Sequence, residues 1–229
     1  MIKRQIPNLI TLCNLACGVL SVFVALALDY PVQAALLICM GILFDFFDGL
    51  TARLLGVSSP MGKELDSLAD VVTSGVAPAA ILYRLTEQTF VNYGAPWLAV
   101  LFLLIPLFAA YRLAKFNLDT RQSHSFLGLP VPSQALVWVG VALTYERPSA
   151  VAVLIVSLLL NILMVSELPL FSLKFNFKDL SWKTNSIQYI FLIVCAVIIA
   201  LLRDWIAISV IILWYIVFSI FTQKKHHAE

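Results

Sequence analysis

The chain has 229 residues, of which 61% are hydrophobic and only 12% are charged, and its formal net charge is +2. Soluble domains carry about 25% charged residues, and disordered chains combine low hydrophobicity with high charge. The composition therefore excludes both classes. The small net charge also argues against nucleic acid as a partner, because nucleic-acid binding favours a dense basic patch.

Eight apolar stretches follow one another along the chain, which predicts an all-α integral membrane protein with about eight transmembrane helices. Each crossing needs about 20 apolar residues, so eight of them leave little chain for a domain outside the bilayer. The fifth and seventh stretches are short for a span, which leaves the count open by one or two. The stretches cover residues 8–29, 32–55, 65–85, 96–115, 132–146, 149–167, 187–202 and 204–222.

The chain reads as a single membrane domain over residues 1–229, since no long Ser, Gly or Pro linker, repeat or low-complexity tract interrupts it. The four cysteines all lie inside apolar stretches. Their spacing is typical neither of a disulfide framework nor of a zinc site, and we expect them to serve packing. They are Cys13, Cys17, Cys39 and Cys195.

The distribution of basic residues predicts that both termini are cytoplasmic. With the N-terminus inside, twelve of the fifteen Lys and Arg residues fall on the cytoplasmic side and three on the other. This is the asymmetry that orients membrane proteins. The twelve are Lys3, Arg4, Arg53, Lys63, Arg112, Lys115, Arg121, Lys174, Lys178, Lys183, Lys224 and Lys225, and the three are Arg84, Arg147 and Arg203.

The start of the chain also resembles a secretory leader, with two basic residues, an apolar run and the Ala-Leu-Ala at 25–27. The run is long for the apolar region of a leader. It also carries Asn8, Thr11 and Asn14, which a disposable segment does not need. We therefore favour a retained first helix.

Four aspartates fall within one 26-residue window of apolar and polar helix: Asp45, Asp48, Asp66 and Asp70. The first two lie in Ile-Leu-Phe-Asp-Phe-Phe-Asp, which is too apolar for a loop. Acidic residues at membrane depth are costly and usually mark a functional site. The alternative, pairing with basic residues, has only Arg53 and Lys63 available nearby, too few for four acids.

Helix geometry groups these aspartates. At 100° per residue, one face of about 140° on the second helix holds Asp45, Asp48, Gly49, Ala52 and Arg53. On the next helix a similar face holds Gly62, Asp66, Asp70 and Thr73. Two acidic ridges joined by a short loop are therefore expected side by side.

Four carboxylates held close together need nearby positive charge to stay ionised, because like charges repel one another. Two divalent cations would supply four positive charges, and an oxygen-only ligand set favours Mg²⁺ or Mn²⁺ over Zn²⁺. Two-metal sites of this kind serve displacement at phosphorus. The small Gly49 and Ala52 leave room for a bulky ligand, and Arg53 is placed to bind a phosphate.

These residues resemble the signature of a known family. Asp-x-x-Asp-Gly-x-x-Ala-Arg at 45–53, then eight residues, then Gly-x-x-x-Asp-x-x-x-Asp at 62–70 is similar at every position to that of the CDP-alcohol phosphotransferases. The resemblance implies a helical bundle in the cell membrane, usually homodimeric, with its site facing the cytoplasm. Members transfer a phospho-group from a CDP-linked donor to an alcohol and release CMP.

The resemblance also implies roles for individual residues. Asp45, Asp48 and Asp66 would hold a first metal ion, Asp45, Asp66 and Asp70 would serve a second, and Asp70 would be the general base. Contacts with the nucleotide and pyrophosphate would come from Gly49, Ala52 and Arg53. Ser59, Asn8 and Thr11 resemble further donor-contacting positions, although Asn8 and Thr11 could instead cap a helix at the membrane surface.

Three stretches are similar to the phosphatidylserine synthase branch of the family, which implies CDP-diacylglycerol as donor and L-serine as acceptor. They are residues 6–18, 112–117 and 126–133. This resemblance covers about residues 5–140, the expected catalytic core. The C-terminal helices at about 149–222 add no motif to this resemblance, only their hydrophobicity.

Serine is a zwitterion, so its pocket needs a cation for the carboxylate and acceptors for the ammonium group. Arg112, Lys115 and Asn117 could provide part of this, and Gly128 and Pro130 a stiff wall. The branch often has Arg at the position of Lys115, and lysine keeps the charge but loses bidentate anion binding. The alternative reading is that the basic residues are membrane anchors and the Gly/Pro run is a turn.

The expected reaction is a single displacement in which serine attacks the donor directly. One rival is the same transfer to another alcohol, such as glycerol 3-phosphate or an inositol compound. A second is a cation transporter that uses intramembrane carboxylates, although the chain has one acidic cluster and no second copy of it. A third is a non-catalytic membrane scaffold.

Overall fold

The computed structural model describes residues 3, 5–57, 59–118, 126–144, 148–170 and 182–226. Its helices are α1 (Gln5–Leu26), α2 (Pro31–Leu54), α3 (Pro60–Asp70), α4 (Ala77–Asn92), α5 (Leu104–Leu118), α6 (Val131–Leu143), α7 (Ala150–Val165), α8 (Trp182–Leu202) and α9 (Ile206–His226). A π-helical turn (Val71–Val76) joins α3 to α4, and a 3₁₀ helix (Pro96–Leu103) leads into α5. Two-residue strands β1 (Phe126–Leu127) and β2 (Pro169–Leu170) pair antiparallel.

The prediction of an all-α membrane chain is confirmed. Within the described residues, eight apolar helical segments follow one another, and four are long and apolar enough to cross a bilayer. These four are Gln5–Leu26, Pro31–Leu54, Pro60–Asn92 and Pro96–Leu118. The side on which the termini lie stays a prediction, and Arg4, Arg121, Arg147, Lys174 and Lys178 of the orientation count lie outside the described residues.

Several predicted spans differ in length from the helices, and the third differs most. The third was expected at 65–85, but helix runs from Pro60 to Asn92 because Ser59 caps α3 and Pro60 begins it. Its polar first turns do not belong to an apolar stretch, so hydropathy alone placed the start too late. The fifth was expected at 132–146, whereas α6 ends at Leu143. At 1.5 Å per residue its 13 residues extend about 20 Å, less than the bilayer core.

Helices α1 and α2 form a closely packed pair, and α4 lies against both. Near the turn between the two helices, the buried Ser21 hydroxyl donates to the Ala34 carbonyl oxygen at 2.8 Å. At the end of the pair away from the aspartates, Arg84 of α4 donates to Asp29 at 2.6 Å and also pairs with Glu87. These contacts fix α4 relative to the turn between α1 and α2.

The apolar interior has two parts. One is built by α4, the 3₁₀ helix, α5, α6 and α7 around the large side chains of Phe90, Phe102, Trp138, Leu160 and Met164. The other joins α1, α2, α4 and α6 through smaller residues, which lets these helices approach closely. Its members include Ala25, Ala34, Ala35, Ile38, Ala77, Ile81, Ala135 and Val139.

Large apolar side chains are also exposed along the outer faces of the helices. Examples are Leu9 (64% exposed), Leu107 (64%) and Ile162 (60%). A water-soluble monomer rarely presents such continuous apolar faces, whereas a bilayer covers them. The exposure pattern therefore agrees with the composition in placing these helices among lipids.

The segment that enters α6 is fixed from two sides. Gly128 has φ +74°, and a Cβ there would lie 2.5 Å from the Met164 carbonyl oxygen at the end of α7. Its amide donates to the Leu168 carbonyl oxygen at 2.9 Å, next to the β1–β2 pair. Only glycine combines this backbone conformation with such close approach.

Gly140 is expected to be the most size-sensitive contact between α6 and α9. A Cβ at this position would lie 2.9 Å from the Ser209 amide nitrogen and 3.1 Å from the Trp205 carbonyl oxygen. Because overpacking of a buried contact costs about 1–3 kcal/mol, Gly140→Ala should lower the unfolding temperature in detergent by several degrees. The lipid-facing Val151→Ala is the control, and equal unfolding temperatures for both variants would contradict the packing.

Candidate active site

The structure brings three aspartates together between α2 and α3. Asp45, Asp48 and Asp66 each offer a carboxylate oxygen, and these atoms all lie within 4.8 Å of one another. Asp48 is 7% exposed, and the other two are half-buried. The two expected acidic ridges are therefore adjacent. We call these three residues the acidic triad.

Asp70 lies one helical turn beyond Asp66 and is 8% exposed. The side-chain amide of Asn14 on α1 donates to its Oδ1 at 3.4 Å. The buried Arg112 of α5 interacts with Asp70 electrostatically. Asp70 is thus the next aspartate along the helix from Asp66 and has partners of its own. That Asp70 binds a second metal ion stays a prediction.

The acidic triad has the chemistry of a site for a hard divalent cation. The Asp66 Oδ1 atom is buried without a hydrogen-bond partner among the described residues. The two nearby cations point elsewhere, since Arg53 Nε donates to the Gly49 carbonyl oxygen and Lys63 Nζ to that of Asn117, both at 3.0 Å. An oxygen-only ligand set suits Mg²⁺ or Mn²⁺. The triad could therefore hold such an ion.

A cavity of about 250 Å³ opens beside the triad, between α1, the end of α2 and the start of α3. Two of the aspartates, Asp48 and Asp66, form its acidic side. Every residue predicted to contact the donor lines it except Arg53, which is exposed: these are Asn8, Thr11, Gly49, Ala52 and Ser59. Among the described residues, the only atom near a Cβ built on Gly49 is Arg53 Nη2, at 4.0 Å, so the wall is open there.

Helix α1 contributes to the site through Thr11. Its hydroxyl lies 2.5 Å from Asp48 Oδ2 and donates to it, while the Pro7 carbonyl oxygen lies 3.1 Å away. Thr11 sits inside α1 and not at its first turn. A capping role for Thr11 is therefore ruled out, and its hydroxyl orients a triad carboxylate instead.

The start of α3 closes the cavity. Ser59 is the N-cap of this helix, and its Oγ accepts a hydrogen bond from the Gly62 amide at 3.0 Å. A Cβ on Gly62 would lie 3.2 Å from Asn8 Oδ1 and 3.1 Å from Ser59 Oγ. The second glycine of the signature, Gly62, therefore lets the start of α3 pass close to α1 beside the cavity.

The five residues predicted to bind serine lie outside the cavity lining. Arg112 is buried, with its guanidinium 5.2 Å from the centre of the Phe116 ring and its Nε without a hydrogen-bond partner among the described residues. Lys115 forms an ion pair with Glu167 at 3.3 Å. The Asn117 side-chain amide donates to Ser67 Oγ at 2.8 Å.

Gly128 and Pro130 lie at the entry to α6, where the former packs on the end of α7 and the latter caps the helix. Of the five residues, Arg112 is the one whose charge acts on an aspartate of the site, Asp70. Serine contacts by these five residues stay a prediction.

Sequence reasoning missed three contributors to the site. Asn14 binds Asp70, Thr73 binds the Asn14 backbone, and Lys63 lines the cavity. Asn14 carried a signal, because it lies three residues after Thr11 and so on the same face of an apolar helix. Lys63 was considered as a nearby counter-charge for the aspartates and not as a residue of the cavity, although it stands between the signature residues Gly62 and Asp66.

Comparison with known proteins agrees with this geometry. Residues 4–170 match the sequence model of the CDP-alcohol phosphatidyltransferase family. The chain belongs to that family. The resemblance drawn from the spacing of the aspartates is thereby confirmed, and the acidic triad of this CDP-alcohol phosphatidyltransferase family member consists of three of the signature aspartates.

Individual relatives carry more specific names. A CDP-diacylglycerol–serine O-phosphatidyltransferase of Helicobacter pylori is 33% identical over 93% of this chain and 89% of its own length. One of Bacillus subtilis is 37% identical over 62% of this chain and 78% of its own. An archaetidylserine synthase of Methanothermobacter thermautotrophicus is 33% identical over 71% and 68%, respectively.

The Thr11 hydroxyl is expected to support metal binding by the triad. Thr11→Val removes the donor to Asp48 while keeping the side-chain shape, whereas Thr11→Ser keeps the donor. Losing a partner that orients a metal ligand typically weakens affinity about 10- to 100-fold. Titration with Mn²⁺, followed by electron paramagnetic resonance, should show this loss for Thr11→Val alone. Equal affinities for the two variants would contradict the role given to Thr11.

Proposed function

We propose that this chain transfers the phosphatidyl group from CDP-diacylglycerol to L-serine, giving phosphatidylserine and CMP. The observation that carries the proposal is the acidic triad beside an open cavity, in a chain of the CDP-alcohol phosphatidyltransferase family. The names of the relatives in bacteria and archaea favour serine over glycerol 3-phosphate or an inositol compound as acceptor.

The donor nucleotide would occupy the cavity lined by Asn8, Gly49, Ala52 and Ser59. Lys63 adds a positive charge to this lining, which suits a pyrophosphate. The lipid tails would remain in the bilayer, against the exposed apolar faces of the neighbouring helices. Arg53 is exposed at the end of α2, so it would reach a donor phosphate only by leaving the Gly49 carbonyl.

Asp45, Asp48 and Asp66, with Asp70, would hold two divalent cations, Mg²⁺ or Mn²⁺. When bound, such ions supply neutralisation of the pyrophosphate and of the charge that develops on departing CMP. The residues of the chain do the remaining work: Thr11 orients Asp48, and Gly49 leaves the approach to the cavity open.

The serine hydroxyl would attack the phosphorus that bears the diacylglycerol. The new bond joins the serine oxygen to this phosphorus, the bond to CMP breaks, and the hydroxyl proton passes to Asp70. Serine needs this assistance because its hydroxyl is far too weak an acid to ionise at neutral pH. The buried Arg112 lies near Asp70, where it would attract the serine carboxylate.

Several broader features belong to the same proposal. The chain would act as a homodimer in the cell membrane with its site at the cytoplasmic face, in keeping with the basic residues counted on that side. One membrane domain would span residues 1–229, with the catalytic core at about 5–140. The C-terminal helices at about 149–222 would complete the bundle.

Acceptor choice tests the proposal directly. The purified chain with CDP-diacylglycerol and Mn²⁺ should release CMP with L-serine and much less with glycerol 3-phosphate or inositol phosphate. Asp66→Asn should reduce CMP release by at least about 10³-fold, because it removes a ligand from the triad. Faster turnover with either other alcohol would overturn the serine assignment, and an active Asp66→Asn variant would overturn the site.

Arg112 is expected to affect serine binding more than donor binding. Arg112→Lys keeps the charge but loses the bidentate geometry that suits a carboxylate, so KM for serine should rise about tenfold. KM for CDP-diacylglycerol should change little, because Arg112 lies outside the cavity lining. The matched control is the exposed Arg203→Lys. An unchanged KM for serine would contradict the predicted contact.

A further inference from the structure

The helix that carries Asp66 and Asp70 changes geometry directly after Asp70. Residues Val71–Val76 form a π-helical turn, which is wider than an α-helical turn, before α4 begins at Ala77. Such turns occur mostly as single insertions and often lie at functional sites. The turn therefore determines how Asp70 is presented to the neighbouring α1 and α2.

Thr73, in the middle of the π turn, is held between α1 and α2. It is fully buried, and both helices have a glycine against it. A Cβ on Gly18 would lie 2.8 Å from the Thr73 Cα, and a Cβ on Gly41 would lie 2.5 Å from its Cγ2. Real Cβ atoms do not approach so closely, so the two glycines form a seat that fits the threonine side chain.

Asn14 connects this seat to the carboxylate. The Thr73 hydroxyl donates to the Asn14 backbone carbonyl oxygen at 3.0 Å, and the Asn14 side-chain amide donates to Asp70 Oδ1 at 3.4 Å. Asn14 is fully buried, and its Oδ1 lies 2.9 Å from the place where a Cβ on Gly41 would be. Both ends of the connection are thus fixed by packing.

We propose that Thr73 and Asn14 are positioning residues for Asp70 in the acceptor half of the reaction. Thr73 fixes the π turn in the glycine seat, and Asn14 orients the Asp70 carboxylate. The inference rests on the proposed function, because it takes Asp70 as the group that accepts the proton of serine. Neither residue lines the cavity, so any effect on the bound donor would have to pass through Asp70.

If Thr73 and Asn14 position Asp70, their substitution should change kcat and KM for CDP-diacylglycerol to different extents. Misplacing Asp70 slows the step in which the hydroxyl loses its proton, which lowers kcat. The donor cavity is lined by other residues of α1, α2 and α3, and the three carboxylates of the acidic triad are unchanged, so KM for CDP-diacylglycerol should change far less than kcat. A residue that only stabilises the bundle would not separate the two parameters in this way.

The test uses the full chain in lipid nanodiscs, with CMP release followed while serine or CDP-diacylglycerol is varied. Thr73→Val keeps the shape of the side chain but removes the donor, and kcat should fall about tenfold with KM for the donor within about twofold. Thr73→Ser keeps the hydroxyl and should retain most of kcat. Asn14→Leu removes the amide bound to Asp70, leaves the backbone acceptor of Thr73 in place and should lower kcat similarly.

The control is Ser21→Ala, which removes another buried hydrogen bond between α1 and α2 far along the same helix pair. It should lower the unfolding temperature without lowering kcat. If Ser21→Ala reduces kcat as much as Thr73→Val, or if Thr73→Ser is as impaired as Thr73→Val, the positioning role is wrong. If Thr73→Val does not fold, Asn14→Leu decides, and unchanged kcat in that variant overturns the inference.

The two proposals fail in distinguishable ways. A wild-type chain that forms no phosphatidylserine from serine contradicts the proposed function. A wild-type chain that forms phosphatidylserine, with kcat unchanged by both Thr73→Val and Asn14→Leu, contradicts only the positioning role.

Discussion

Carboxylates on apolar, membrane-spanning helices need partners, and the site depends on how this need is met. The nearest cations do not pair with the acidic triad, since Arg53 and Lys63 donate to backbone carbonyls. Neutral donors replace them: Thr11 holds Asp48 and Asn14 holds Asp70. Such donors orient a carboxylate without supplying positive charge, so the charge compensation that the triad needs is left to a bound divalent cation.

The carboxylates find their partners on two different sides of the site. On one side, the triad faces a cavity with small and polar walls, built where α3 approaches α1 at Gly62. On the other, Asp70 directly precedes the π turn, and the charge of the buried Arg112 of α5 acts on it. A reaction that joins two substrates needs this arrangement, because the group that is transferred must be reached from the acceptor side.

The sequence predicted those parts of the site that depend on residues close together in the chain. The spacing of Asp45, Asp48, Asp66 and Asp70 follows the helical repeat, so a face of α2 and a face of α3 could be read directly. Apolar stretches likewise predicted the helices, with errors confined to their ends. At α3 the error arose because a capping serine and polar turns begin the helix before the apolar residues do.

The remaining features depend on contacts between distant segments, which a single sequence does not reveal. Nothing local in Val71–Val76 distinguishes a π turn from an α helix, and the glycine seat for Thr73 comes from two other helices. The surroundings of two predicted serine-binding residues are also of this kind: the close neighbours of Gly128 are carbonyl oxygens at the end of α7, and the Asn117 amide is bound to Ser67 of α3. Their contacts with serine stay predictions.

The most direct measurement is anomalous diffraction at the manganese edge from crystals of the chain grown with Mn²⁺ and a CDP-linked lipid. If the acidic triad binds the catalytic metal, we expect anomalous density between α2 and α3. The peak should lie within coordination distance of carboxylate oxygens from Asp45, Asp48 and Asp66, and next to the donor pyrophosphate. Ordered donor density without an anomalous peak there, or peaks only at other positions, would contradict the claim that these aspartates form a metal-dependent catalytic centre.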